Sequence, residues 1–79
     1  MRPEDIRNFL RAQPFRPFRI MLTDGTAYEV GHPELVNVGR STMFLGLPAG
    51  EEVEPLYDHF RIIDLLHIMQ TEPVDVARN

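Results

Sequence analysis

Apolar and polar positions alternate along Phe18-Arg19-Ile20-Met21-Leu22, then again along Thr26-Ala27-Tyr28-Glu29-Val30. A period of two is the pattern of a half-buried strand, so the two runs read as the arms of a hairpin. A two-residue Asp24-Gly25 loop would put Ile20 and Tyr28 on opposite faces. A three-residue loop, Thr23-Asp24-Gly25, pairs Leu22 with Thr26, Ile20 with Tyr28 and Phe18 with Val30. That register places Phe18, Ile20, Leu22, Tyr28 and Val30 on one face. It predicts a type I turn with a G1 bulge, in which Gly25 takes the left-handed conformation.

Before the hairpin, residues 3–12 read as a short helix. Pro3 suits the first turn, and Glu4 and Asp5 complement the helix dipole there. Ile6, Phe9 and Leu10 form one apolar stripe at helical spacing, which must dock on the sheet because three turns do not persist alone in water. Pro14 stops the helix. Gln13-Pro14-Phe15-Arg16-Pro17 is a stiff connector with Phe15 as its anchor, read as a clamp on its own domain. After the hairpin, Gly31-His32-Pro33-Glu34 breaks or bends the second arm. Residues 35–38 and 42–47 read as strands close enough to pair antiparallel. The stretch 48–55 is a long acidic loop, expected to be exposed and mobile. Residues 56–62 alternate in part; Asp58 falls on the face of Leu56, Phe60 and Ile62, a mismatch that a bulge or a strand end would relieve. The run 63–69 also suits a helix, but one 3₁₀ turn at about 63–66 and a strand at about 67–72 is preferred. Residues 74–79 are expected to fray.

The fold class expected is mainly β (α+β). A short N-terminal helix precedes a five-stranded antiparallel, strongly bent sheet or a small barrel, with a 3₁₀ turn before the last strand. In element order this resembles the Sm-like and SH3-like small barrels. The stretches Pro14-Phe15-Arg16-Pro17-Phe18-Arg19-Ile20, Leu22-Thr23-Asp24-Gly25, His32-Pro33-Glu34 and Leu65-Leu66-His67-Ile68 resemble a family of short, uncharacterised bacterial proteins. That resemblance implies a self-contained domain and carries no site residue across.

Length makes the chain one domain, residues 1–79, with a β-rich body at about 17–73. A domain this small has little room for a deep cleft beside its core. The sequence has no cysteine, hence no disulfide framework or thiolate metal site, which fits a cytoplasmic protein. No apolar run approaches the roughly 18 residues of a membrane span, so no membrane partner is expected. Met1-Arg2-Pro3-Glu4-Asp5 does not read as the start of a secretory signal.

All eight cationic side chains are arginine. Residues 1–19 hold five of them against Glu4 and Asp5, a balance of +3, and residues 20–79 carry −7, which together make the net charge of −4. An acidic body disfavours non-specific nucleic-acid binding, which rests on phosphate neutralisation. A local patch of Arg7, Arg11, Arg16 and Arg19 is the one candidate nucleic-acid contact. Tyr28, Phe44, Tyr57 and Phe60 could form a stacking platform, although in so small a domain they are expected in the core. His32 with Glu34, His59 with Asp58 and His67 with Asp64 invite a metal reading, but adjacent strand residues point to opposite faces and no local ligand spacing appears. Ser41 is the only serine and lies in a turn; there is no lysine or cysteine to act as a nucleophile. No catalytic, cofactor-binding or metal-ligating residue is therefore assigned. Met21, Met43 and Tyr57 are candidates for an outer patch, since exposed methionine suits an adaptable protein contact. The leading expectation is a non-catalytic interaction domain that pairs with itself or another protein through a strand edge or apolar patch. The alternative is RNA or single-stranded DNA binding through the arginine patch; the second alternative is a small metal-dependent enzyme.

Overall fold

The computed structural model describes residues 1–48 and 57–74. The acidic loop, the start of the strand expected at Leu56 and the tail from residue 75 lie outside the described residues. The elements run α1 (Pro3–Arg11), β1 (Phe18–Leu22), β2 (Ala27–Val30), a first 3₁₀ turn (Pro33–Leu35), β3 (Val36–Val38), β4 (Thr42–Pro48), β5 (Tyr57–Asp64), a second 3₁₀ turn (Leu65–His67) and β6 (Ile68–Pro73). All strand pairs are antiparallel.

The hairpin adopts the register that its alternation requires, with Phe18 opposite Val30 and Ile20 opposite Tyr28. The Gly25 amide donates to the Leu22 carbonyl (3.0 Å) and the Leu22 amide to the Thr26 carbonyl (2.8 Å). Gly25 has φ 93°, where a Cβ is strained, so glycine is required at this position. The Asp24 carboxylate accepts from the Thr26 amide at 2.9 Å and pins the turn. That hydrogen bond, followed by one from the Thr26 side chain, holds the Asp24 carboxyl below its ordinary value.

The strands form two sheets, ordered β2-β1-β6 and β3-β4-β5. This corrects the expectation of five strands in one bent sheet or closed barrel: there are six described strands, and among the described residues no hydrogen-bonded ladder joins the two sheets. The cause is local. Pro33 lacks an amide hydrogen, and the 3₁₀ turn that it opens separates β2 from β3. At the opposite corner the chain leaves β5 through the second 3₁₀ turn, where the Asp64 side chain accepts from the Leu66 amide. Residues 63–69 accordingly do not form one α-helix: Leu65–His67 make a 3₁₀ turn between two strands.

The core lies between the sheets. Phe18, Ile20 and Val30 from the first meet Met43, Leu45 and Ile63 from the second; Ile6, Leu65 and Ile68 close the ends. Burying each such aliphatic side chain contributes roughly 1.5–3 kcal/mol, before the entropy of ordering it. In α1, Ile6 enters the core while Phe9 stays 41% exposed, its ring 5.1 Å from that of Phe18. Phe15 meets the Phe18 edge at 6.2 Å, and the Val74 amide donates to the Pro17 carbonyl at 3.1 Å, so the proline connector clamps its own domain.

Candidate functional site

The site expectations sort by which face of which sheet each side chain occupies. Arg19, on the outer face of β1, donates to Glu29 on β2 (2.8 Å) and Glu72 on β6 (2.7 Å). The three residues are directly opposite one another in the ladders, so the arginine ties all three strands. Hydrogen bonding to Glu29 and then to Glu72 raises its already high pKa. Arg19 is thus committed within its own sheet. Arg7 and Arg11 lie on α1 and Arg16 on the connector, and none makes an ion pair among the described residues. Met21 is half-buried and accepts from the Gln70 side-chain amide at 3.2 Å. Met43 is only 1% exposed and belongs to the core, which corrects its place in an outer patch. It pairs with Ile63 and Val38 on the inward face of the second sheet, where β4 is the central strand.

Tyr57 is different. Opposite Leu47 and Pro48, β5 carries one extra residue, Asp58, so the ladder register shifts there. Beyond that bulge, Phe60 and Ile62 lie opposite Gly46 and Phe44, and Ile63 opposite the buried Met43. The bulge moves Tyr57 by one position, onto the same outer face as Phe60 and Ile62. There Phe44 stacks on Phe60 (centroids 5.1 Å apart, planes at 20°) and meets Tyr57 edge-on (5.5 Å, 81°). Tyr57 also meets Phe60 edge-on at 6.3 Å. Tyr57 is 51%, Phe60 50% and Ile62 62% exposed. The expectation that Tyr57 and Phe60 belong to the core is corrected: β4 and β5 use their other face for the core.

Gly46 makes this arrangement possible. A Cβ built on it would lie 3.0 Å from Cβ and 3.2 Å from Cγ of Tyr57, and 3.3 Å from Cβ of Leu35. Without that Cβ, Tyr57 rests directly on the backbone of β4. Beside the rings is a hollow of about 370 Å³ lined by Glu34, Leu35, Asn37, Phe44 and Tyr57. Glu34 and Asn37 are exposed, and neither side chain has a hydrogen-bond or ion-pair partner among the described residues. Sequence reasoning named Tyr57, weighed Glu34 only in a metal reading with His32, and missed Gly46 and Ile62. The available signal was the Asp58 mismatch, since the bulge that relieves it also decides where Tyr57 points.

Among the described residues are two other hollows of comparable volume. A cleft of about 320 Å³ lies between the hairpin tip and β5, with Tyr28, Arg61, His67, Asp24 and Asp64 among its walls. Both its carboxylates already accept turn amides, from Thr26 and Leu66. An apolar groove of about 300 Å³ runs beside Phe9, Arg16, Phe18 and Pro73. Among the described residues no three His, Asp or Glu side chains gather as a metal site would require. His59 approaches Asp58 at 3.7 Å, His32 precedes the first 3₁₀ turn, and the His67 carbonyl accepts from the Thr23 amide at 2.9 Å. No described helix is long and apolar enough to cross a membrane. Comparison with protein-family models, with curated proteins and with solved structures finds no match.

Proposed function

We propose that this chain is a non-catalytic interaction module that docks a second copy of itself on the outer face of the β3-β4-β5 sheet. One observation carries the reading: Phe44, Tyr57, Phe60 and Ile62 gather on the outer face of the sheet, with the first 3₁₀ turn packed at one end against Gly46 and with Tyr57, Phe60 and Ile62 each at least half exposed. Such patches on small soluble domains mark contact surfaces. The strand that bears most of them, β5, is also an eight-residue edge strand with one side unpaired among the described residues. An open edge of that length is a template for pairing unless something covers it. The second copy is favoured by the chain's own charge: the N-terminal stretch is cationic and the remainder acidic, so unlike regions of two copies attract.

The magnitude bounds the affinity. Fully buried aromatic side chains remove roughly 150–250 Å² each from water, so the exposed halves of Tyr57 and Phe60 with Ile62 leave roughly 300 Å² to cover. At ~25 cal/mol per Å² that is ~7 kcal/mol, set against an association cost of ~4–15 kcal/mol. The surplus from this surface is at most ~3 kcal/mol, which corresponds to dissociation in the millimolar range. Light scattering over a dilution series tests the reading. Mass should fall toward the monomer on dilution, and Phe60→Ser with Ile62→Ser should hold the chain monomeric. A strict monomer at every concentration refutes it.

A further inference from the structure

Resting on that self-association, we infer that the hollow beside Tyr57 is a receptor for an arginine side chain of the second copy, supplied by Arg11 or Arg16. Three observations converge on a cation. Phe44 and Tyr57 both line the hollow, with their rings nearly perpendicular at 81°. The negative faces of aromatic rings attract a cation placed over them, and a planar guanidinium also stacks on them. Glu34 brings a carboxylate to the rim, and Asn37 adds an amide whose oxygen can accept from the fork. Neither has a competing partner among the described residues. The Gly46 backbone keeps the Tyr57 ring seated against β4, so the aromatic wall is built by packing as well as by sequence.

The complementary group is on the same chain. Of the five arginines in residues 1–19, Arg19 is held by Glu29 and Glu72, and Arg2 lies 3.7 Å from Glu4. Arg7 is half-buried on α1, whereas Arg11, in the last turn of α1, and Arg16, on the connector, are exposed; none of the three has an ion pair among the described residues. The half-exposed Phe9 ring and Arg16 border one groove, so this end of the molecule offers apolar surface beside its cations. The contact uses two different surfaces, the helix end of one copy and the outer sheet face of the next. It is therefore heterologous, and it grows head to tail unless the rotation closes a ring.

That geometry has a specific test. The receptor variant is Glu34→Gln with Tyr57→Ser; the donor variant is Arg11→Gln with Arg16→Gln. Circular dichroism and thermal melting first establish that both are folded. Sedimentation velocity then compares each variant alone, the equimolar mixture and the unmodified chain, at low and high salt. The unmodified chain should assemble beyond two copies, with association weakening at least tenfold at high salt. Each variant alone should sediment as a monomer. The mixture should form a one-to-one pair and stop there, because one live receptor meets one live donor. Receptor or donor variants that assemble like the unmodified chain overturn the arginine contact while leaving self-association through the sheet face in place. A mixture that stays monomeric also overturns it. An unmodified chain that never assembles overturns both.

Discussion

Replacing Gly46 by alanine isolates the packing that builds the aromatic face. The new Cβ would sit 3.0 Å from Tyr57 Cβ and 3.3 Å from Leu35 Cβ. Neither neighbouring atom is the far end of a flexible side chain, so Tyr57 must move or β4 and β5 must separate slightly. Overpacking of this kind costs ~1–3 kcal/mol, while removing a glycine from a strand interior returns ~0.5–1 kcal/mol. The net loss is ~1 kcal/mol, or a fall of about 4–8 °C in melting temperature for a domain of this size. The collision is mainly with Cβ and Cγ of Tyr57, so most of the cost should vanish when Tyr57 is already glycine, which lacks both atoms. The two substitutions should couple by ~1 kcal/mol in a double-mutant cycle, the range for residues in contact. Urea unfolding followed by circular dichroism measures all four corners. If Gly46→Ala is as stable as the parent, or costs the same with and without the Tyr57 ring, the ring does not rest on β4 as described.

Other consequences are simpler to read. Ile20→Ala removes a fully buried side chain and should cost ~2–5 kcal/mol, a large fraction of the ~4–12 kcal/mol typical for a domain this long; chemical denaturation checks it. Arg19→Met should destabilise by cutting both ties across β2-β1-β6, and the deficit should shrink as salt screens the parent's ion pairs, measured by melting at low and high salt. Asp24 has its folded pKa below the ordinary value of 3.8, so its contribution is present above that value and is lost as pH falls through the lower, folded one. Asp24→Asn, which keeps an acceptor but cannot titrate, should therefore flatten the stability profile below about pH 4; melting temperatures from pH 7 to pH 2 measure this.

The parts legible in the sequence were those fixed by short-range chemistry. The Ile20–Tyr28 register follows from parity alone, and the left-handed Gly25 follows from the loop length that parity demands. The 3₁₀ turn before the last strand was legible for similar reasons, displaced slightly to Leu65–His67. The division into two sheets was not, because Pro33 permits either a bend in one strand or a break between two. Which face of β5 looks inward was also hidden. Ile62 and Ile63 are equally apolar neighbours, and only pairing with Met43 or Phe44 decides which is buried. The same ambiguity misplaced Met43. Glu34 carries no local signal as a site residue; it becomes one only because β3 and β4 bring Asn37 and Phe44 alongside Tyr57.

Amide chemical shifts recorded across a hundredfold dilution locate the self-contact residue by residue. The outer sheet face should respond, with concentration-dependent shifts at Phe44, Tyr57, Phe60 and Ile62 and at Arg11 and Arg16. Met21, Gln70 and Arg19, on the outer face of the other sheet, should stay fixed. Shifts confined to Met21 and its neighbours, or none anywhere, would contradict the assignment of the β3-β4-β5 face as the docking surface.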